Sequence, residues 1–89
     1  MEVLYRKLFL KDLKKLKNQP IYKQIVDLVF TTLPKAATLR DIAGIKAMKK
    51  YPNRYRIRIG NYRIGIEVGD NIIEVMRILH RREFYRYFP

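Results

Sequence analysis

The chain has no cysteine. A disulfide frame, a zinc–thiolate site and a thiol nucleophile are therefore excluded, and the composition suits a reducing cytoplasm. Serine is absent too, which rules out a Ser-His-Asp nucleophile. One histidine and scattered carboxylates do not make a metal site, and no glycine-rich phosphate loop is present. No apolar run is long enough to span a bilayer, and Glu2, Arg6 and Lys7 break the N-terminus as no secretory leader does. The sequence lacks repeats, low-complexity tracts and linkers. The expectation is one cytoplasmic domain over residues 1–89, without cofactor, metal or membrane contact.

Acidic residues are also scarce, 8 against 20 Lys and Arg, for a formal net charge of +12. An excess that large on 89 residues implies a polyanionic partner or a dedicated acidic protein partner. Hydrophobic residues make up 48% of the chain, enough for a packed core and too many for disorder.

The stretch from Arg54 to Val68 organises the rest. Polar and apolar residues alternate on both sides of Gly60-Asn61, which predicts two antiparallel strands joined by a two-residue turn. In that register Ile59 faces Tyr62, Ile57 faces Ile64 and Tyr55 faces Ile66, all apolar. On the other face Arg58 meets Arg63, Arg56 meets Gly65 and Arg54 meets Glu67. Arginines directly across a sheet repel each other. Folding gains nothing from the Arg58–Arg63 pair, and an anion between them would account for it.

Around this hairpin the chain reads as α+β. Met1–Arg6 alternates as a short first strand. Phe9, Leu13 and Leu16 fall at helical spacing, with Lys11, Lys14, Lys15 and Lys17 on the remaining surface. Asn18-Gln19-Pro20 breaks that helix. A second helix carries Ile21, Ile25, Leu28, Val29 and Leu33, and Pro34 is expected to stop it. Residues 35–53 show Leu39, Ile42, Ile45 and Met48 every three residues, as a helical turn or a packed loop. Ile72–Leu79 reads as a central strand, with Ile73, Val75 and Leu79 on one face and Ile72, Met76 and Ile78 on the other. The prediction is a helical hairpin on one face of a mostly antiparallel four-stranded sheet, in the order β-α-α-β-β-β, with a short C-terminal helical turn.

The basic side of this sheet has the ingredients of a single-stranded RNA site. Arg56, Arg58 and Arg63 share a face, and the end of the last strand adds His80, Arg81 and Arg82, then Tyr85 and Tyr87. Guanidinium forks hold phosphate oxygens without losing charge, and tyrosines offer stacking surfaces for unpaired bases. Arg54, Lys46, Lys49 and Lys50 extend the basic surface. His80 is the one side chain of ordinarily near-neutral pKa.

The run Tyr55–Gly65, together with Arg77-Ile-Leu-His-Arg-Arg-Glu83, resembles the paired motifs of the RelE family of type II toxin–antitoxin toxins. Phe9-x-Lys11-Asp12-Leu13-x-x-Leu16 resembles the family's first helix, so the likeness spans the chain. The resemblance implies a metal-independent endoribonuclease that cuts messenger RNA in the ribosomal A site, by attack of a 2′-hydroxyl on the adjacent phosphate. It implies a RelB-like acidic antitoxin as cognate partner, in a hetero-oligomeric complex that binds its operator. By motif, Arg56 and Arg58 match the basic positions of the first hairpin strand. Arg63 matches the arginine after the turn and Arg82 the arginine after the last strand. Tyr85 and Tyr87 compete for the C-terminal tyrosine. The chain departs from the family in one respect: both first-strand positions are arginine where lysine is frequent, and arginine is a poor general base near neutrality. His80, with Glu83 and the tyrosines behind it, is the alternative proton-transfer group. Two other functions fit the same outline, a ParE-like toxin acting on DNA gyrase and a non-catalytic basic RNA-binding module.

Overall fold

A computed structural model describes all of residues 1–89. Strand β1 (Glu2–Tyr5) leads into helix α1 (Lys7–Lys15), which buries Phe9, Asp12 and Leu13. Helix α2 (Tyr22–Asp27) continues through a π-helical turn, Leu28–Thr32, into α3 (Leu33–Lys35). Pro34 thus does not stop the helix where expected, and the helix ends one residue later. A proline ring clashes with the carbonyl four residues back. The π turn just before Pro34 loosens the backbone at that point. Buried Ile25, Val29 and Leu33 keep one face of this helix on the core.

Residues 35–53 hold a single 3-10 turn, Leu39–Asp41, and a strand, β2 (Ile45–Ala47). The turn is capped by Asp41, whose Oδ2 accepts from the amides of Ala37 at 3.1 Å and Thr38 at 3.0 Å. Strands β3 (Arg54–Ile59), β4 (Tyr62–Gly69) and β5 (Ile72–His80) follow, and helix α4 (Arg81–Tyr87) closes the chain. The sheet has five strands, not four, in the order β1-β5-β4-β3-β2. The added strand, β2, is too short to display a period of two. Its pairing with β3 sets Ile45 opposite Ile57 and Lys46 opposite Arg56. Only the β1–β5 pair is parallel.

The β3–β4 register is the one the alternation predicts, with Arg58 across from Arg63 and Ile59 across from Tyr62. The β5 face assignment is corrected by a bulge. Val75 pairs with Ile66 and Arg77 with Gly65, so Met76 has no partner in β4. One extra residue reverses the alternation beyond it. Ile78, opposite Ile64, therefore joins Ile73 and Val75 on the helix-covered face, and Leu79 turns to the other.

Beyond the bulge β5 has lost β1 as a neighbour, and α1 takes its place. The Asp12 carboxylate accepts from the Ile78 amide at 3.2 Å and from Arg77 Nε and Nη2 at 2.8 and 3.0 Å. A buried carboxylate needs such partners. Asp12 thereby fastens α1 to the strand that carries α4.

Candidate nucleic-acid interface

The face of the sheet away from α1 and α2 carries the arginines, and the hairpin turn positions them. Gly60 has a φ of 56°, a left-handed value that favours glycine. A Cβ there would lie 2.6 Å from Ile21 Cδ1, so the turn sits tightly on the break between α1 and α2. Arg63 folds back over it, and its Nη1 donates to the carbonyls of Gly60 at 3.0 Å and Tyr62 at 2.9 Å. Arg56 Nη1 donates to the Gly44 carbonyl at 3.0 Å. Arg58 makes no side-chain hydrogen bond and no ion pair. Lys46, directly across from Arg56, adds a second like-charge pair to this face.

Helix α4 completes the cluster from the other side. His80 caps it, its Nδ1 accepting from the Arg82 amide at 3.2 Å, and the Arg81 amide bonds the Asn61 carbonyl of the turn at 2.8 Å. Phe84 and Phe88 are the buried anchors. Phe88 lies on Gly65, where a Cβ would meet its ring at 2.7 Å. With Phe84 pointing inward, the helical period puts Arg81 and Tyr85 on the flank toward the hairpin. Glu83 and Tyr87 fall on the opposite flank, and Arg82 and Arg86 point away from the sheet. Tyr85 is 61% exposed, braced edge-on against Phe84 at 5.0 Å.

The electrostatics agree with this placement. The Arg63 pKa is pushed down, first by desolvation and then by the charges of Arg56 and Arg58, with Arg81 adding a weaker push and Tyr85 opposing it. Crowded guanidinium groups with no carboxylate among them are a standing demand for an anion.

The other expected site residues lie elsewhere. His80 pairs with Tyr62 and stacks edge-on against it at 5.4 Å, on the helix-covered side of the sheet. The bulge has turned it away from Arg63, so the expected convergence of His80 on the arginine pair does not occur. Tyr87 lies by Arg77, whose guanidinium carbon is 6.0 Å from the ring centroid. His80, Glu83 and Tyr87 instead line a groove of about 360 Å³ beside α1. Arg54 is bound to Glu67 at 3.1 Å and lies over the Phe88 ring at 5.5 Å. Lys49 and Lys50 are exposed on the turn beyond Arg54. The Asp12–Arg77 pair and the Phe88–Gly65 contact carry no sequence signal, because their members lie far apart in the chain.

Residues 3–85 match the profile of the family described as the ParE toxin of type II toxin-antitoxin system, parDE. Over its full length the chain is also 43% identical to the whole of Toxin RelE3 from Methanocaldococcus jannaschii. The chain belongs to the RelE/ParE family of type II toxin–antitoxin toxins. This bears out the resemblance carried by the hairpin and last-strand motifs. In the solved RelB-RelE antitoxin-toxin complex from Methanococcus jannaschii, one chain is 41% identical with a TM-score of 0.77, covering 97% of this toxin and 99% of that chain. A chain of the Escherichia coli DinJ-YafQ complex shares the fold, with a TM-score of 0.74 at 11% identity, over 94% of this toxin and 97% of that chain.

Proposed function

We propose that this RelE/ParE toxin is a metal-independent endoribonuclease that cleaves messenger RNA in the ribosomal A site. The observation that carries the reading is the Arg58–Arg63 pair, flanked by Arg56 and Arg81 and bordered by Tyr85, with no carboxylate in the cluster. In the reaction a 2′-oxygen attacks the adjacent phosphorus and loses its proton. The bond to the 5′-oxygen breaks, and that oxygen takes up a proton. The products are a 2′,3′-cyclic phosphate and a 5′-hydroxyl. Arg58 and Arg63 hold the phosphorane oxygens, Arg56 and Lys46 bind the neighbouring phosphate, and Arg81 adds charge at the turn. Fixed donors aimed at developing charge supply a large share of such catalysis. Tyr85, not Tyr87, is the C-terminal tyrosine of the site, a hydroxyl and a stacking surface beside Arg63. His80 and Arg82 stand outside the cluster. In this reading the basic face is neutralised by an acidic antitoxin, as the relative solved with RelB suggests.

The test is primer extension on ribosome-bound messenger with a chelator present. Cleavage by the wild type that disappears in Arg63→Ala and Tyr85→Ala, and persists in His80→Ala and Tyr87→Phe, supports this assignment. Intact messenger with wild type sinks it. The name of the matching profile favours a second reading, a ParE-like toxin directed at DNA gyrase. Pulse labelling after induction separates the two, because a ribonuclease stops new protein first and a gyrase poison stops new DNA first.

A further inference from the structure

The arginines of strand β3 differ in what holds them. Arg58 makes no side-chain hydrogen bond, whereas Arg56 Nη1 donates to the Gly44 carbonyl at 3.0 Å. That same carbonyl accepts from the Arg58 amide at 3.0 Å. The backbone bond already meets the carbonyl's need for a donor. The bond from Arg56 lies at the exposed surface and adds little to the fold. What it fixes is a direction. Lys46 lies directly across from Arg56, and Gly44, one step beyond the Ile45–Ile57 pair, lies across from Arg58. The bond therefore draws the Arg56 guanidinium along the sheet, away from Lys46 and toward the Arg58–Arg63 pair. In keeping with this, the charge of Arg56 depresses the Arg63 pKa more than that of Arg58, although Arg58 is the direct cross-strand neighbour.

Only glycine delivers a carbonyl to this place. Gly44 has a φ of 77°, and a Cβ on it would lie 2.8 Å from the Arg58 carbonyl oxygen and 3.4 Å from the Arg58 nitrogen. Both atoms belong to the backbone of a paired strand, which does not give way cheaply. We propose that Gly44 is a positioning residue of the cleavage site, acting through Arg56 to set where the phosphate next to the scissile one is held. This rests on the ribonuclease reading, in which Arg58 and Arg63 take the scissile group. An untethered Arg56 would be pushed out of place by Lys46. A tethered one is aimed in advance, so little side-chain freedom is lost when RNA binds.

The experiment is single-turnover cleavage on programmed ribosomes, with messengers in which a neutral methylphosphonate replaces either phosphate flanking the scissile one. Wild type should slow by about tenfold at one of the two positions, the loss of one hydrogen bond to a charged group. Arg56→Ala and Gly44→Ala should each slow cleavage of the unmodified messenger by about as much, and lose nothing further on that methylphosphonate. The double variant should be no slower than Arg56→Ala. A glycine needed only for folding would slow both messengers alike and keep the wild-type ratio between them, which overturns the proposal. Indifference of the wild type to both methylphosphonates overturns it as well. Guanidinium nitrogen NMR of the wild type reads the tether without any substitution, so the test survives a Gly44→Ala chain that does not fold. Rotation about Cζ–Nε should be slower in Arg56 than in Arg58, and equal rotation in the two overturns the proposal. Failure of the wild type to cleave at all removes the ribonuclease reading and this role with it. Cleavage with an unchanged ratio in Gly44→Ala removes the role alone.

Discussion

The arginine-bearing face of the sheet has two ends, built from similar residues in opposite ways. At the end far from the hairpin turn the arginines are paired with carboxylates. Arg54 holds Glu67, Arg6 holds Glu74, and Phe88 lies beneath the Arg54 guanidinium. At the turn end Arg56, Arg58 and Arg63 meet Lys46 and Arg81, and their hydrogen bonds go to backbone carbonyls. Between the two lies Gly65, with Phe88 on it. The contrast separates two uses of arginine on one surface. A partnered arginine contributes to the fold, whereas an unpartnered row weakens the fold and is left to something that arrives.

Substitution at the turn end should break the comparison most visibly. Arg63→Ala is expected to lower the cleavage rate by about 10²–10³-fold, the usual loss for one preorganised donor. Single-turnover cleavage on programmed ribosomes measures this, and a loss under threefold would place the chemistry elsewhere. Next comes the boundary between the ends. In Gly65→Ala the new methyl collides with Phe88, at a cost of about 1–3 kcal/mol for overpacking, read by urea unfolding. Cleavage should fall with it, because α4 carries Tyr85 and Arg81. At the far end Arg54→Ala should cost less than about 1 kcal/mol of stability, since both partners are part-exposed, and should leave cleavage within about threefold of wild type. The smallest effect has the opposite sign. Arg58→Gln removes one member of a repulsive cross-strand pair, so stability should rise by about 0.2–1 kcal/mol even as cleavage falls. If Arg58→Gln destabilises the fold instead, the two ends do not differ as described.

Much of this face was legible in the chain. Strict alternation around Gly60-Asn61 fixes which residues share it, and the observed pairs from Arg54–Glu67 to Ile59–Tyr62 follow that rule. Strand β2 was hidden because three residues cannot show a period and because it is held by backbone bonds to β3. The Asp12–Arg77 pair joins residues 65 positions apart, a separation no local pattern reports. The bulge at Met76 was masked by composition: Ile72–Leu79 is apolar on both faces, so a reversal of the alternation leaves no trace in hydropathy. That His80 and Arg82 stand apart from the arginine cluster was hidden for related reasons. A motif keeps residues in order along the chain, but the bulge and the helical period decide which way each one points.

Met76 has a consequence for how such a protein can change. Counted by strict alternation from Val75, His80 would fall on the same side of the sheet as Arg63. One additional residue in the strand delivers the imidazole to the opposite side without altering a single residue of the site. In a sheet this small, the length of a strand thus controls chemistry as directly as the identity of its side chains. Deleting Met76 would only regularise the pairing and leave His80 opposite Tyr62. Bringing the imidazole among the arginines takes a one-residue shift of register beyond the bulge, which no point substitution reproduces.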